Sequence, residues 1–263
     1  MKEEIKLARV RKRNDLITKS RFSLSLQEQK IVLFLISKIK PTDTDFQEYT
    51  FSIKDFCEAC MLESTGGEQY EQVKEAIKNI ADQSLWVKMD DGRETLLRWI
   101  EKASIEAGMI QIRLDNDLKP YLLQLQRNYT TYELIFTLGF KSKYTIRLYE
   151  LIQSLHFYED ESYSHTFKLT ELIKLLGAES YKTYSSFRER VLDPAIKEIN
   201  AVSDKSVSYE VAEKDGKKIT ALKLTIFKND MLKHYRNKKK LTDGTKARSK
   251  KNTGKGEKKN GTS

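Results

Sequence analysis

The sequence predicts an α+β chain in which one order of elements occurs twice, and three observations support this. One plan (helix, short strand, short helix, longer helix, hairpin) can be traced from Ser25 to Leu114 and again from Ser142 to Phe227. Phe51-Ser-Ile53-Lys-Asp-Phe56 echoes Phe167-Lys-Leu169-Thr-Glu-Leu172 at the matching place in each copy. The stretch Thr170–Phe227 reads as a short helix, a turn at Gly177, a longer helix, and two alternating strands joined through Lys214-Asp215-Gly216. That last order is the order of a winged helix-turn-helix, in which the longer helix enters a major groove and the hairpin grips flanking backbone. The expected architecture is two tandem winged-helix domains related by pseudo-duplication and followed by a disordered basic tail. The divisions are a basic arm at 1–13, a first domain at 14–130, a second at 131–230 and the tail at 231–263.

Each element has a local reason. Arg9–Arg13 is a basic cluster that either touches phosphates or stays a solvated arm. Ser25 with Glu28 three residues on makes a capping box for a helix at Ser25–Lys40, which Pro41 stops. Tyr49–Ile53 alternates as a short strand, Lys54–Leu62 reads as a short helix, and Glu68–Gln83 buries Tyr70, Val73, Ile77 and Ile80 on one face. Leu85–Met89 is a strand, Asp90-Asp91-Gly92-Arg93 a hairpin turn, and Leu96–Ile105 and Met109–Leu114 return as strands. Asp115–Leu125 is helical, with Pro120 early in it, and 126–141 form a joint. Ser142 caps a buried helix to Phe157, and His165–Leu169 is the strand matching Tyr49–Ile53.

The second long helix, Tyr181–Ser203, carries the functional argument. Tyr184, Phe187, Val191, Leu192, Ala195, Ile196 and Ile199 form an apolar stripe at helical spacing. Lys182, Ser186, Arg190 and Lys197 fall opposite, the first three in one row at four-residue steps, with Thr183 and Ser185 beside them. Lysine, serine and arginine supply the donors that phosphates and guanine edges accept. Arg188, at the margin, either reaches DNA or pairs within the protein. Pro194 removes one helix hydrogen bond, so the helix kinks or breaks at Asp193-Pro194. Lys214, Lys217 and Lys218 load the wing, and Lys141, Ser142, Lys143 and Tyr144 could seat a phosphate at a helix start. The first unit differs, because Glu68, Glu71 and Glu75 on its long helix and Asp90 and Asp91 at a hairpin tip repel phosphates.

Charge placement narrows the reading. The chain has 48 Lys plus Arg and 38 Asp plus Glu; from Lys228 onward lie 13 and 3 of these, leaving 35 of each before it. The folded part is therefore neutral overall, and the tail either adds non-specific DNA affinity or only solubilises. The two cysteines, Cys57 and Cys60, exclude a disulfide framework and fit a reducing cytoplasm. One Cys-x-x-Cys pair is too few ligands for a structural zinc site, so both read as core residues and no cofactor is expected. Trp86 and Trp99 read as core packing. Nicking chemistry lacks its metal ligands, since His156, His165 and His234 form no His-x-His pair; no phosphate loop for ATP hydrolysis is present. No segment is long and apolar enough to cross a membrane, and the expected role is not enzymatic.

Ser142–Ile152 (SKYTIRLYELI) and Phe187–Asn200 (FRERVLDPAIKEIN) closely resemble the iteron-binding plasmid replication initiators, the Rep proteins of theta-replicating plasmids. Asn14-Asp-Leu-Ile followed by Leu26-Gln-Glu-Gln-Lys is also similar, so the likeness covers roughly 9–227. The resemblance implies a bacterial, plasmid-associated protein that binds double-stranded DNA at direct repeats of an origin as a monomer. It further implies origin opening, recruitment of the host initiator and replicative helicase, and autorepression by dimers joined through the first winged helix. A winged-helix transcriptional regulator without origin activity is the competing reading.

Overall fold

The computed structural model describes residues 8–59, 67–88, 91–155 and 162–229. The expected tail, Cys60, Asp90 and His156 lie outside the described residues. The elements run β1 (Arg9–Arg13), α1 (Asp15–Thr18), β2 (Ser20–Arg21), α2 (Leu26–Ile36), β3 (Tyr49–Ser52), α3 (Ile53–Ala59) and α4 (Gly67–Asp82). Next come β4 (Ser84–Lys88), β5 (Glu94–Arg98), β6 (Ile100–Glu106), β7 (Met109–Leu114), α5 (Lys119–Leu122), β8 (Tyr129–Glu133) and α6 (Leu134–Gly139). The second copy holds α7 (Lys143–Ser154), β9 (Ser162–Lys168), α8 (Leu169–Leu175), α9 (Tyr184–Phe187), α10 (Asp193–Val202), β10 (Lys205–Asp215) and β11 (Lys218–Lys228).

The duplication is visible in the sheets. In one copy the order is β3-β7-β6, in the other β10-β11-β9, so each time the lone strand pairs antiparallel with the last strand of the hairpin. Each copy is built on one buried helix whose cap was legible. Ser25 Oγ accepts from the Glu28 amide while Glu28 Oε2 accepts from the Ser25 amide, so the capping box of α2 is complete. Ser142 Oγ accepts from the Tyr144 amide at 3.2 Å and starts α7. Around α2, Phe34 meets Phe51 and Phe56 edge-on at 5.4 Å, and around α7, Tyr149 meets Tyr132 and Phe140 at 5.5 and 5.4 Å. These edge-to-face contacts add to the burial of large rings.

Four expectations change. The basic cluster Arg9–Arg13 is no free arm: β1 pairs with β8 across Arg9↔Glu133 to Arg13↔Tyr129, and its inward residues Val10 and Lys12 are buried. Leu96–Ile105 is two strands, because the chain bends at the buried Trp99 and passes from the β2-β4-β5 sheet to the β3-β7-β6 sheet. Asp91 therefore sits at the turn of an additional hairpin, β4-β5, while the wing matching β10-β11 is β6-β7, turning at Ala107-Gly108. Trp86 is not core: it is 49 % exposed, opposite the equally exposed Leu96.

A buried ionic cluster joins the copies. Lys12 pairs with Glu150 of α7, which also accepts from the Tyr132 hydroxyl. Arg147 lies 3.6 Å from the same carboxylate and donates to the carbonyls of Ile17 and Leu175, each at 3.1 Å. One side chain of α7 thus ties α1 to the end of α8. Desolvation holds the Lys12 and Arg147 pKa values below their ordinary ones, and burial pushes the Tyr132 hydroxyl well up.

Candidate nucleic-acid interface

The long helix of the second copy begins at Tyr184, capped by Thr183, whose hydroxyl accepts from the Ser186 amide at 3.2 Å. Lys182 therefore precedes the helix, and the expected Lys182–Ser186–Arg190 row is not one helical row. Between α9 and α10 the residues Arg188–Leu192 form a π-turn, with the Asp193 amide donating to the Arg188 carbonyl. The helix does not break at Asp193-Pro194: the helical run is continuous from Tyr184 to Val202, with the wide turn just before the proline. The wider turn removes the need for a normal bond from position 194 and clears the pyrrolidine ring from the preceding carbonyl. One inserted residue rotates the rest of the helix by about 100° relative to a regular one, so Lys197 does not continue the line of Arg190.

The candidate side chains divide by the contacts that hold them. Lys182, Arg190 and Lys197 are exposed, Ser186 is half-buried, and among the described residues none of the three cations has an ionic partner. Ser185 donates to Glu189 Oε1 at 2.9 Å, and Arg188 lies 3.5 Å from Glu189 and 3.7 Å from Asp193, so the protein already engages both. Asp193 in turn accepts from Tyr209 of β10 at 2.6 Å and ties the helix to the wing. Burial, and after it that bond, pushes the Tyr209 hydroxyl pKa up. Lys214, Lys217 and Lys218 sit exposed at the wing turn, where Gly216 takes the left-handed φ of +57° that the turn requires. A bulge near Glu213 bends the strand leading there.

At the start of α7 the Lys141 amide donates to Glu198 Oε1 at 2.6 Å, and the Lys143 ammonium rests 5.3 Å from the Tyr144 ring centroid. Tyr144 stacks edge-on against Tyr181 at 6.0 Å, joining this helix start to the segment before Lys182. Neither α7 nor α9 has an acid in its own first turn, although the Glu198 carboxylate of α10 reaches the start of α7. The matching helix of the first copy, α4, has Glu68 in its first turn, and its Lys74 and Lys78 lie 4.0 and 3.9 Å from Glu71 and Asp82. Sequence reasoning missed the anchoring by Glu189 and Glu198, since nothing in the spacing ties Glu198 to Lys141.

A family model described as "Initiator Replication protein, WH1" matches residues 9–153, more than half of the chain. The chain belongs to the initiator replication protein family. A second model, "Initiator Rep protein, WH2", matches residues 168–226. Among relatives, an Escherichia coli replication initiation protein is 24 % identical over 204 residues, covering 75 % of this chain and 63 % of that protein. The PI protein of Escherichia coli is 23 % identical over 256 residues, covering 83 % and 82 %. A crystal structure of Pi initiator protein in complex with iteron DNA superposes with a TM-score of 0.72 at 22 % identity, covering 86 % of this chain and 99 % of that one. The expected fold, two winged helices in tandem, is that of this family. Among the described residues no group of three His, Cys, Asp or Glu could hold a metal ion, and no helix is long and apolar enough to cross a membrane. Cys57 is buried, and burial pushes its thiol up.

Proposed function

We propose that the chain is a plasmid replication initiator that binds double-stranded DNA at direct repeats of its origin and acts by binding, without catalysis of its own. One observation carries the assignment of the contact surface: free cations gather on the second unit, whereas the matching cations of the first are paired with acids. A groove-reading face needs cations that no carboxylate has neutralised. Arg190 and Ser186 read bases on this view, and Lys182, Lys197, Lys214, Lys217 and Lys218 hold phosphates. Lys141, Ser142, Lys143 and Tyr144 flank one further phosphate at the start of α7. Thr183, Ser185 and Arg188 act mainly by setting the helix, through the cap and the Glu189 contacts. Family membership supports origin binding, and the iteron complex of the Pi protein shows what a protein of this fold engages. Origin opening, helicase recruitment in the bacterial cytoplasm and autorepression by a dimer joined through the first unit belong to the same proposal.

Mobility shifts on DNA flanking the gene test it. Arg190→Ala and Lys182→Ala are expected to weaken binding to the repeats about ten- to a hundredfold, the loss typical of a base-edge or phosphate donor. Lys74→Ala and Lys78→Ala are expected to stay within about threefold. The reverse ranking would move the reading helix to the first unit. Binding only to an inverted repeat, with no autonomous plasmid maintenance, would identify a regulator instead.

A further inference from the structure

The two copies do not close against each other completely. Between β2 with the segment after it on one side, and α7 with the end of α8 on the other, lies a cleft of about 310 Å³. Its walls carry Arg21, Lys143 and Lys174, and Arg147 lines it from the buried cluster with its Nε and Nη2 fixed on carbonyl oxygens. Arg147 is already paired with Glu150 behind the wall, so three cations, Arg21, Lys143 and Lys174, face the one carboxylate of the lining, Glu179. A second hollow of about 300 Å³ continues the cleft past Arg21 and Lys174 toward Trp86, adding Lys19 and Lys88 against Glu94 and Glu171.

Half of these six cations are held by the fold: Arg147 by Glu150 and two carbonyls, Lys19 by Asp15, and Lys143 over the Tyr144 ring. Among the described residues Arg21 and Lys174 have no ionic partner. Lys174 stands in the last turn of α8, where the carbonyl of Leu175 is already occupied by Arg147. Within a folded body whose charges sum to zero, a concave surface with several uncompensated cations over a fixed guanidinium is a site for an anion. The cavity is many times the volume of one water and holds a phosphate group with room to spare.

We propose that this cleft is a phosphate-binding site, with Arg21 and Lys174 as the adaptable donors and Arg147 as the fixed charge beneath them. The phosphate comes either from the backbone of DNA lying across both units, which rests on the function proposed above, or from a free polyphosphate. A backbone phosphate is the better fit, because Lys143 and the turn at Gly177, both in the lining, lead directly to the helix starts of the DNA-reading unit.

The test uses the full chain with Arg21→Gln, Lys174→Gln and the double variant, all at positions away from the reading helix. If the group is a DNA phosphate, each substitution lowers affinity for repeat and random duplex by the same factor, about tenfold. Each also flattens the dependence of log K on log salt by about one unit. If it is a free polyphosphate, the salt slope stays put. Inorganic pyrophosphate then raises the wild-type unfolding midpoint above a chloride control of equal ionic strength, and the double variant loses that rise. No change in either readout overturns the proposal, and so does a variant that alters preference between repeat and random DNA. Wild-type protein with no preference for repeats would sink the proposed function alone, since the pyrophosphate arm reads the cleft without DNA.

Discussion

Glu150 is the residue on which the joint between the copies turns, because it alone faces two buried cations and a buried hydroxyl. Removing its charge leaves the buried Lys12 and Arg147 repelling each other with no anion between them. Glu150→Gln is expected to cost about 3–5 kcal/mol, the range for breaking a buried pair from one side, read as a lower denaturant midpoint. Lys12→Met should cost less, since Glu150 keeps Arg147 and Tyr132. The pH dependence separates the two roles of Lys12. Burial lowers its pKa below the ordinary 10.5, so between the folded value and 10.5 the unfolded chain binds the extra proton. Stability from this group therefore rises with pH across that window. Wild type should gain on Lys12→Met as pH climbs toward 10.5, and a constant gap between the two denaturation series would refute the buried-charge account.

At the scale of elements, the parts that could be read from the chain were those that local chemistry decides. The capping box at Ser25 and Glu28, the cap at Ser142, and the stripe Val73, Ile77, Ile80 each needed only a few neighbours in sequence. β1 was missed because its inward position 12 is a lysine, which alternation counts as polar, and the partner that makes it inward lies on α7. The division at Trp99 was missed because two strands of different sheets continue one alternating run. The π-turn was hidden for a related reason: a regular 3.6-residue stripe fits Tyr184 to Ile199 well enough to mask one extra residue. That turn has a testable consequence. Pro194→Ala restores an amide that can bond normally, while the unfolded chain gains freedom, so stability should stay within about 1 kcal/mol. The helix would then be free to lose its wide turn and rotate Ser186 and Arg190 relative to Lys197. Binding to the repeats is expected to fall about tenfold with random-duplex affinity unchanged, in fluorescence titrations at fixed salt; equal loss on both would mean the turn serves affinity only.

Across the whole molecule, charge is separated from shape. The residues before Lys228 hold 35 cations and 35 anions, so the doubled fold has no net attraction for DNA beyond the contribution of local placement. On the function proposed above, favourable placement occurs three times on the second unit: at the long helix, at the wing and at the start of α7. The excess of the last 36 residues is different in kind, being thirteen Lys and Arg interspersed with Gly, Asn, Ser and Thr and without alternation or a stripe. Such a composition favours counterion release from any duplex, and counterion release does not tell one base from another. Deleting 238–263 should therefore lower affinity for repeat and random DNA by a common factor and reduce the slope of log K against log salt by several units. The ratio of the two affinities should survive at every salt concentration. Loss of that ratio on truncation would place base reading in the tail and take it from the helix that Thr183 caps.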